Sequence, residues 1–190
     1  MAKCNMRKEI LLSGYGGQGL VLAGIILAEA AVLYEGKNAT HNQSYGPEAR
    51  GGASRSEVII SDEEVNYPEI ESPDILLAMT QDAIDKYGGS VKEDGVVIVD
   101  TLYVKDLNPV SKVKSIYKFP ITELSIRETG KPLSANVVAL GILVEATKIV
   151  KRESLEKAVL NRVPPATREV NLKALRAAFE LFNKGYQEGG

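Results

Sequence analysis

Apolar runs, more than alternations, mark the first third of this chain. Ile10 to Leu12 is continuously apolar, as a parallel strand covered on both faces is, and it leads into a glycine cluster, Gly14, Gly16, Gly17 and Gly19. From Gln18 to about Tyr34 the chain is apolar almost all round, with the small residues Ala23, Gly24, Ala28 and Ala31 set among Leu20, Ile25, Leu27 and Val32. This predicts a buried helix with one side on its own sheet and the other against a partner chain. Glu35-Gly36 ends it.

The pattern then changes. Lys37 to Arg55 is polar with no sustained period and is expected to be a long, structureless and therefore functional connection. Glu57 to Ser61 returns to strand, turns through Asp62-Glu63-Glu64 and continues extended toward Tyr67-Pro68, a hairpin that would put antiparallel strands in the sheet. Further strands are predicted at Asp74 to Thr80, Val96 to Asp100 and Lys114 to Phe119, with short helices at Gln81 to Tyr87 and Ile121 to Glu128 that stop at glycines. Ser134 reads as an N-cap before a second buried helix, Asn136 to Ile149. Two amphipathic helices close the chain, one lined by Leu155, Ala158, Val159 and Val163, the other by Leu172, Leu175, Phe179 and Phe182, with Pro164-Pro165 between them. The expected fold is α/β, a three-layer, Rossmann-like mixed sheet flanked by helices with the C-terminal helices packed on a single domain, residues 1–190.

Composition narrows the function. With 23 basic and 25 acidic residues well mixed and a net charge of -2, nothing points to nucleic acid or a membrane surface. One cysteine, Cys4, and one histidine, His41, cannot between them hold an iron–sulfur cluster or complete a zinc site, so no metal ligand and no catalytic residue is assigned. The Leu20–Leu33 stretch is too short for a bilayer and there is no secretory h-region, which makes a cytoplasmic protein the expectation.

Gly14-Tyr15-Gly16-Gly17-Gln18-Gly19 has the G-x-G-x-x-G spacing after a strand and before a helix. Glycines there let a backbone approach a phosphate at a helix N-terminus; the alternative is that they only allow tight strand-to-helix packing. A dinucleotide site also needs a second parallel strand ending in an acid about 20 residues on. Glu35-Gly36-Lys37 and polar chain stand there, which argues against NAD or FAD and leaves a different phosphate-bearing ligand. Asp100, Thr80 and Gln81 lie at the carboxyl ends of strands, where they could meet a ligand or cap the next turn. The segment Gln43 to Arg55 carries Arg50 and Arg55, planar donors suited to carboxylate or phosphate.

Taken with GYGGQG and its apolar helix, the segments SYGPEARGGASRSEVIIS, PDILLAMTQDA, GVVIVD and NVVALG give a sequence that resembles the gamma subunits of 2-oxoacid:ferredoxin oxidoreductases, most closely the 2-oxoglutarate enzyme, over nearly the whole chain. The resemblance implies a complex in which thiamine-binding alpha and beta subunits and a ferredoxin-like delta subunit carry thiamine diphosphate and the iron–sulfur clusters, with ferredoxin as acceptor and this chain inert alone. It implies a shared coenzyme A site, with Gly14, Gly16, Gly17, Gln18 and Gly19 at phosphate or pantetheine and Arg50 pairing a phosphate, although the fused enzymes of the superfamily have a lysine-containing loop at that place. The Leu20–Leu33 helix and Tyr45, Gly46, Pro47, Glu48 and Arg55 would meet the thiamine-binding subunits. A purely structural assembly subunit and an independent NAD-dependent oxidoreductase are the alternatives, and the isolated chain could pair with itself.

Overall fold

The computed structural model describes residues 5–45 and 53–185, without the side chains of Tyr45 and Ala53. Strand β1 (Arg7–Tyr15) leads into α1 (Leu20–Glu35), β2 (Asn38–Tyr45) and β3 (Ala53–Ser61). Next come β4 (Ile75–Ala78), α2 (Gln81–Tyr87), β5 (Val96–Asp100), β6 (Ser115–Phe119) and α3 (Ile121–Thr129). The chain ends in α4 (Ala135–Thr147), α5 (Arg152–Arg162) and α6 (Arg168–Asn183). The six strands form one sheet in the order β2-β3-β1-β4-β5-β6. Strands β1, β4, β5 and β6 are parallel to one another, and β3 runs antiparallel to both β1 and β2.

The continuous apolar runs follow from burial on both faces. Ile10 and Leu12 of β1, Ile75 and Leu77 of β4 and Ile98 of β5 pack with α1, α3, α4, α5 and α6, whereas Leu11, Leu76, Ala78, Val97 and Val99 pack with Ala83, Ile84 and Tyr87 of α2. The result is the expected three-layer arrangement. Helix α1 stops where Gly36 takes φ 67° and the Lys37 amide reaches back to the Ala31 carbonyl at 3.1 Å, a left-handed cap that glycine allows without strain. Its outer side is covered in part by the chain itself, since α5 packs there with Arg162 against Glu29. Val32, Leu33 and Tyr34 remain 42%, 58% and 37% exposed.

Two expectations are corrected. The polar segment after α1 is not structureless: residues 38–45 form β2, paired with β3 in eight consecutive positions from Asn38 opposite Ser61 to Tyr45 opposite Ser54. It is an edge strand of Asn, Thr, Gln and Ser, and a polar edge shows no hydrophobic period while discouraging further strand pairing. The hairpin expected after Ser61 is also absent, because β3 finds its antiparallel partners in β1 and β2 while residues 64–73 run without a strand. Hence a strand does follow α1. It runs parallel to β1 but is separated from it by β3, so the adjacent parallel pair of a dinucleotide fold is not formed. Ser134 precedes α4 but makes no side-chain cap.

Candidate functional site

After β1 the chain leaves through α1 toward the β2 side of the sheet, and after β4 it leaves through α2 on the opposite face toward β5. The connections therefore diverge between β1 and β4, a topological switch point, and the crevice outside the carboxyl ends of those strands is where such sheets bind ligands. The turn Gly14–Gly19 lies there, and the Met79 amide donates to the Ser13 carbonyl at 2.9 Å to join the two strand ends.

The glycines differ in their work. At Gly14 a methyl group would stand 2.9 Å from Leu20 Cδ1 and 3.0 Å from Met79 Cβ, so this glycine permits close packing. Gly17, at φ 95°, has nothing within 4 Å of where a methyl would be, and it lies open. The carbonyls of the turn are held inward: Ser54 Oγ is 3.3 Å from the Gly14 oxygen and 3.4 Å from the Tyr15 oxygen, and the Gln18 amide donates to Tyr15 at 3.2 Å. Asn136 Nδ2 donates to the Gly19 carbonyl at 3.2 Å. The amides of Gly16, Gly17, Gly19, Leu20, Val21 and Leu22 meet no acceptor among the described residues. Among the described residues no side chain caps α1 and no acid stands in its first turn, so none of them compensates the positive end of this 16-residue helix. Beside it runs a groove of about 360 Å³ lined by Gly16, Gly17, Gly19, Leu20, Val21, Leu22, Ile25 and Ser54. The arrangement suits an anionic group attached to an apolar or amphipathic chain. A larger cleft, about 710 Å³ between α3 and α6, lies among charged side chains that include the Lys173–Glu128 pair.

Of the residues singled out from sequence, Gly16, Gly17 and Gly19 line the groove, whereas Gly14 packs beneath it. Gln18 turns its Oε1 back to accept from the Tyr15 amide at 2.8 Å, which shapes the turn. Arg55 lies on β3 with its guanidinium against Glu57 and 5.2 Å from the centre of the Tyr87 ring, on the α2 face. Tyr45 ends β2, and Gly46, Pro47, Glu48 and Arg50, like Cys4, lie outside the described residues. The strand-end residues cap: Thr80 Oγ1 accepts from Ala83, Gln81 Oε1 accepts from the Lys105 and Asp106 amides, and buried Asp100 accepts from the Leu102 amide and from the amide and hydroxyl of Thr122. Burial pushes the Asp100 carboxyl up despite these bonds. The Asp82 carboxylate holds the pKa of the Tyr15 phenol above its ordinary value. His41 is half-buried, with Nε2 3.0 Å from Ser56 Oγ. Ser54 and Asn136 were not assigned from sequence, because their role depends on pairings across 40 and 117 residues.

A mixed α/β sheet with a glycine turn at its switch point sets a helix N-terminus where sheets of this class bind their ligands. Residues 9–181 match the pyruvate ferredoxin/flavodoxin oxidoreductase family, and the chain belongs to it. It is a subunit of a 2-oxoacid:ferredoxin oxidoreductase. It is 50% identical to the 2-oxoglutarate synthase subunit KorC of Methanocaldococcus jannaschii, over 97% of this chain and 95% of that one. It is 35% identical to the common gamma subunit of the pyruvate/ketoisovalerate oxidoreductases of Pyrococcus abyssi, over 90% and 95%. The fold matches the crystal structure of a keto/oxoacid ferredoxin oxidoreductase gamma subunit from Geobacter sulfurreducens, with a TM-score of 0.81 and 50% identity over 91% and 96%. A 2-oxoglutarate:ferredoxin oxidoreductase from Magnetococcus marinus shares the fold at a TM-score of 0.79 and 20% identity, over 96% of this chain and 32% of that one.

Proposed function

We propose that this subunit serves a 2-oxoglutarate enzyme, holding coenzyme A at the glycine turn and joining the subunits that carry out the oxidation. The reaction of the complex is 2-oxoglutarate, coenzyme A and two oxidised ferredoxins to succinyl-coenzyme A, carbon dioxide, two reduced ferredoxins and a proton. Thiamine diphosphate and iron–sulfur clusters, held by alpha, beta and ferredoxin-like delta partners in the cytoplasm, supply the decarboxylation and electron transfer. The relatives named 2-oxoglutarate synthase subunit support the substrate, and the Magnetococcus enzyme, of the same fold, is described with coenzyme A and succinyl-coenzyme A bound.

The observation that carries the assignment is the set of amides of Gly16, Gly17, Gly19, Leu20, Val21 and Leu22 that meet no acceptor among the described residues, beside an apolar wall of Leu20, Val21, Leu22 and Ile25. The amides suit phosphate oxygens and the wall suits a pantetheine chain. Arg50 would add a paired guanidinium from the segment that enters β3, whose Ser54 is bonded to the turn. Gly17→Glu adds a carboxylate beside these amides at a φ of 95° that strains any residue but glycine, and Arg50→Ala removes the guanidinium. In the co-purified complex each should raise KM for coenzyme A, Gly17→Glu by at least about tenfold, a loss of about 1.4 kcal/mol of binding, while KM for 2-oxoglutarate stays unchanged. A purely structural subunit would keep its KM for coenzyme A in both variants, and ferredoxin reduction at full rate without this chain would dismiss the assignment altogether.

A further inference from the structure

Asn136 stands in the first turn of α4 and is 4% exposed. Its Oδ1 accepts from the Val137 amide at 2.9 Å, which fixes the side-chain amide so that Nδ2 points across to α1. There it donates to the Gly19 carbonyl at 3.2 Å, the same oxygen that accepts from Ala23 at 3.0 Å to begin the helix. Gly19 has φ 75°, and a methyl on it would lie 2.6 Å from Asn136 Nδ2, so the asparagine fills the space that any other residue would need for its side chain.

A trans peptide is planar, with its N–H and C=O pointing in opposite directions. Holding the Gly19 oxygen inward therefore turns the Leu20 amide outward, to the groove it lines. Ser54 does the same earlier in the turn, where its hold on the Tyr15 oxygen leaves the Gly16 amide free of an acceptor among the described residues. Asn136 differs from Ser54 in origin: it belongs to a helix that starts 115 residues after α1 and contributes no atom to the groove.

We infer that Asn136 is a positioning residue for coenzyme A, acting through the Gly19–Leu20 peptide. The inference rests on the reading of the groove as the coenzyme A site. Asn136→Asp keeps the shape and the acceptor for Val137, but it replaces one of the two donors to the Gly19 carbonyl with an oxygen, so the carbonyl keeps the Ala23 amide and is repelled from the Asn136 side. In the assembled oxidoreductase, steady-state ferredoxin reduction should show KM for coenzyme A raised about tenfold, the scale of a buried hydrogen bond replaced by an oxygen–oxygen repulsion. The turnover number and KM for 2-oxoglutarate should stay within about twofold, a split that simple loosening of the fold would not give. Asn136→Ser, too short to reach Gly19, carries the same expectation if the aspartate variant does not assemble. An unchanged KM for coenzyme A in either assembled variant overturns the inference. If Gly17→Glu raises that KM while Asn136→Asp does not, the positioning role fails and the site stands. If neither moves it, the site reading falls as well.

Discussion

His41 is the chain's single histidine, held between α1 and the sheet where a methyl on Gly24 would stand 2.9 Å from its ring. Burial pulls its pKa below the ordinary imidazole value, so as pH falls the unfolded chain takes up its proton before the folded one does. Stability should hold above about pH 6.5, decline as pH falls from there through the depressed folded value, and level off below it. Thermal unfolding from pH 7.5 down to 5.5 should show this decline in the native chain and lack that component in His41→Gln; equal declines in both would remove His41 as its source. The histidine was legible only as a polar loop residue, because β2 has no period to read. The glycine turn shows the same limit at finer grain. Spacing treats Gly14 and Gly17 alike, whereas one packs against Leu20 and Met79 and the other faces open space at φ 95°. Which carbonyls are held, and so which amides are offered, depends on Ser54 and Asn136, and no local pattern reports on contacts so distant in sequence.

At the scale of elements, apolar runs and turn residues were sufficient for β1, α1, β4, α2, β5, β6 and the C-terminal helices, since each carries its burial in its own sequence. Edge strand β2 is held instead by its ladder to β3, which leaves no mark in its own sequence. The buried helix α4 shows how close such elements come. A methyl on Gly141 would lie 2.7 Å from the Ala178 methyl and 3.3 Å from the Leu175 carbonyl oxygen of α6, so the two backbones approach at a glycine. Gly141→Val should destabilise by about 1–3 kcal/mol through overpacking, read as a lower urea midpoint with an unchanged slope. Adding Ala178→Gly opens part of that space and should recover some of the loss, a coupling between touching sites. Additive losses in the double variant would locate the strain elsewhere. The α6 end also closes the β6 face, with the Phe182 ring 5.5 Å from Tyr117 and 5.7 Å from Phe119.

For the whole molecule, the switch point between β1 and β4 emerges only once strand order is known, and it is what makes the glycine motif a candidate site. The same topology decides what α1 covers. Its Leu20, Ala23, Ile26, Leu27, Ala30 and Ala31 are buried against the sheet and neighbouring helices, while its last turn leaves Val32 and Leu33 in solvent. Under the assembly role proposed above, this apolar end is where α1 would meet a partner subunit. Leu33→Lys tests it cleanly. Leu33 is 58% exposed, so its replacement should change stability by no more than about 0.5 kcal/mol, and a cation near a helix C-terminus is favourable. The isolated variant should therefore melt within about 2 °C of the native chain. Co-expressed with its partner subunits, it should be recovered in the complex at well below stoichiometric yield, because a desolvated ammonium would face an apolar partner surface. Full recovery of the complex with an unchanged melting temperature would mean that the partners bind another face, and the exposed end of α1 would then have no part in assembly.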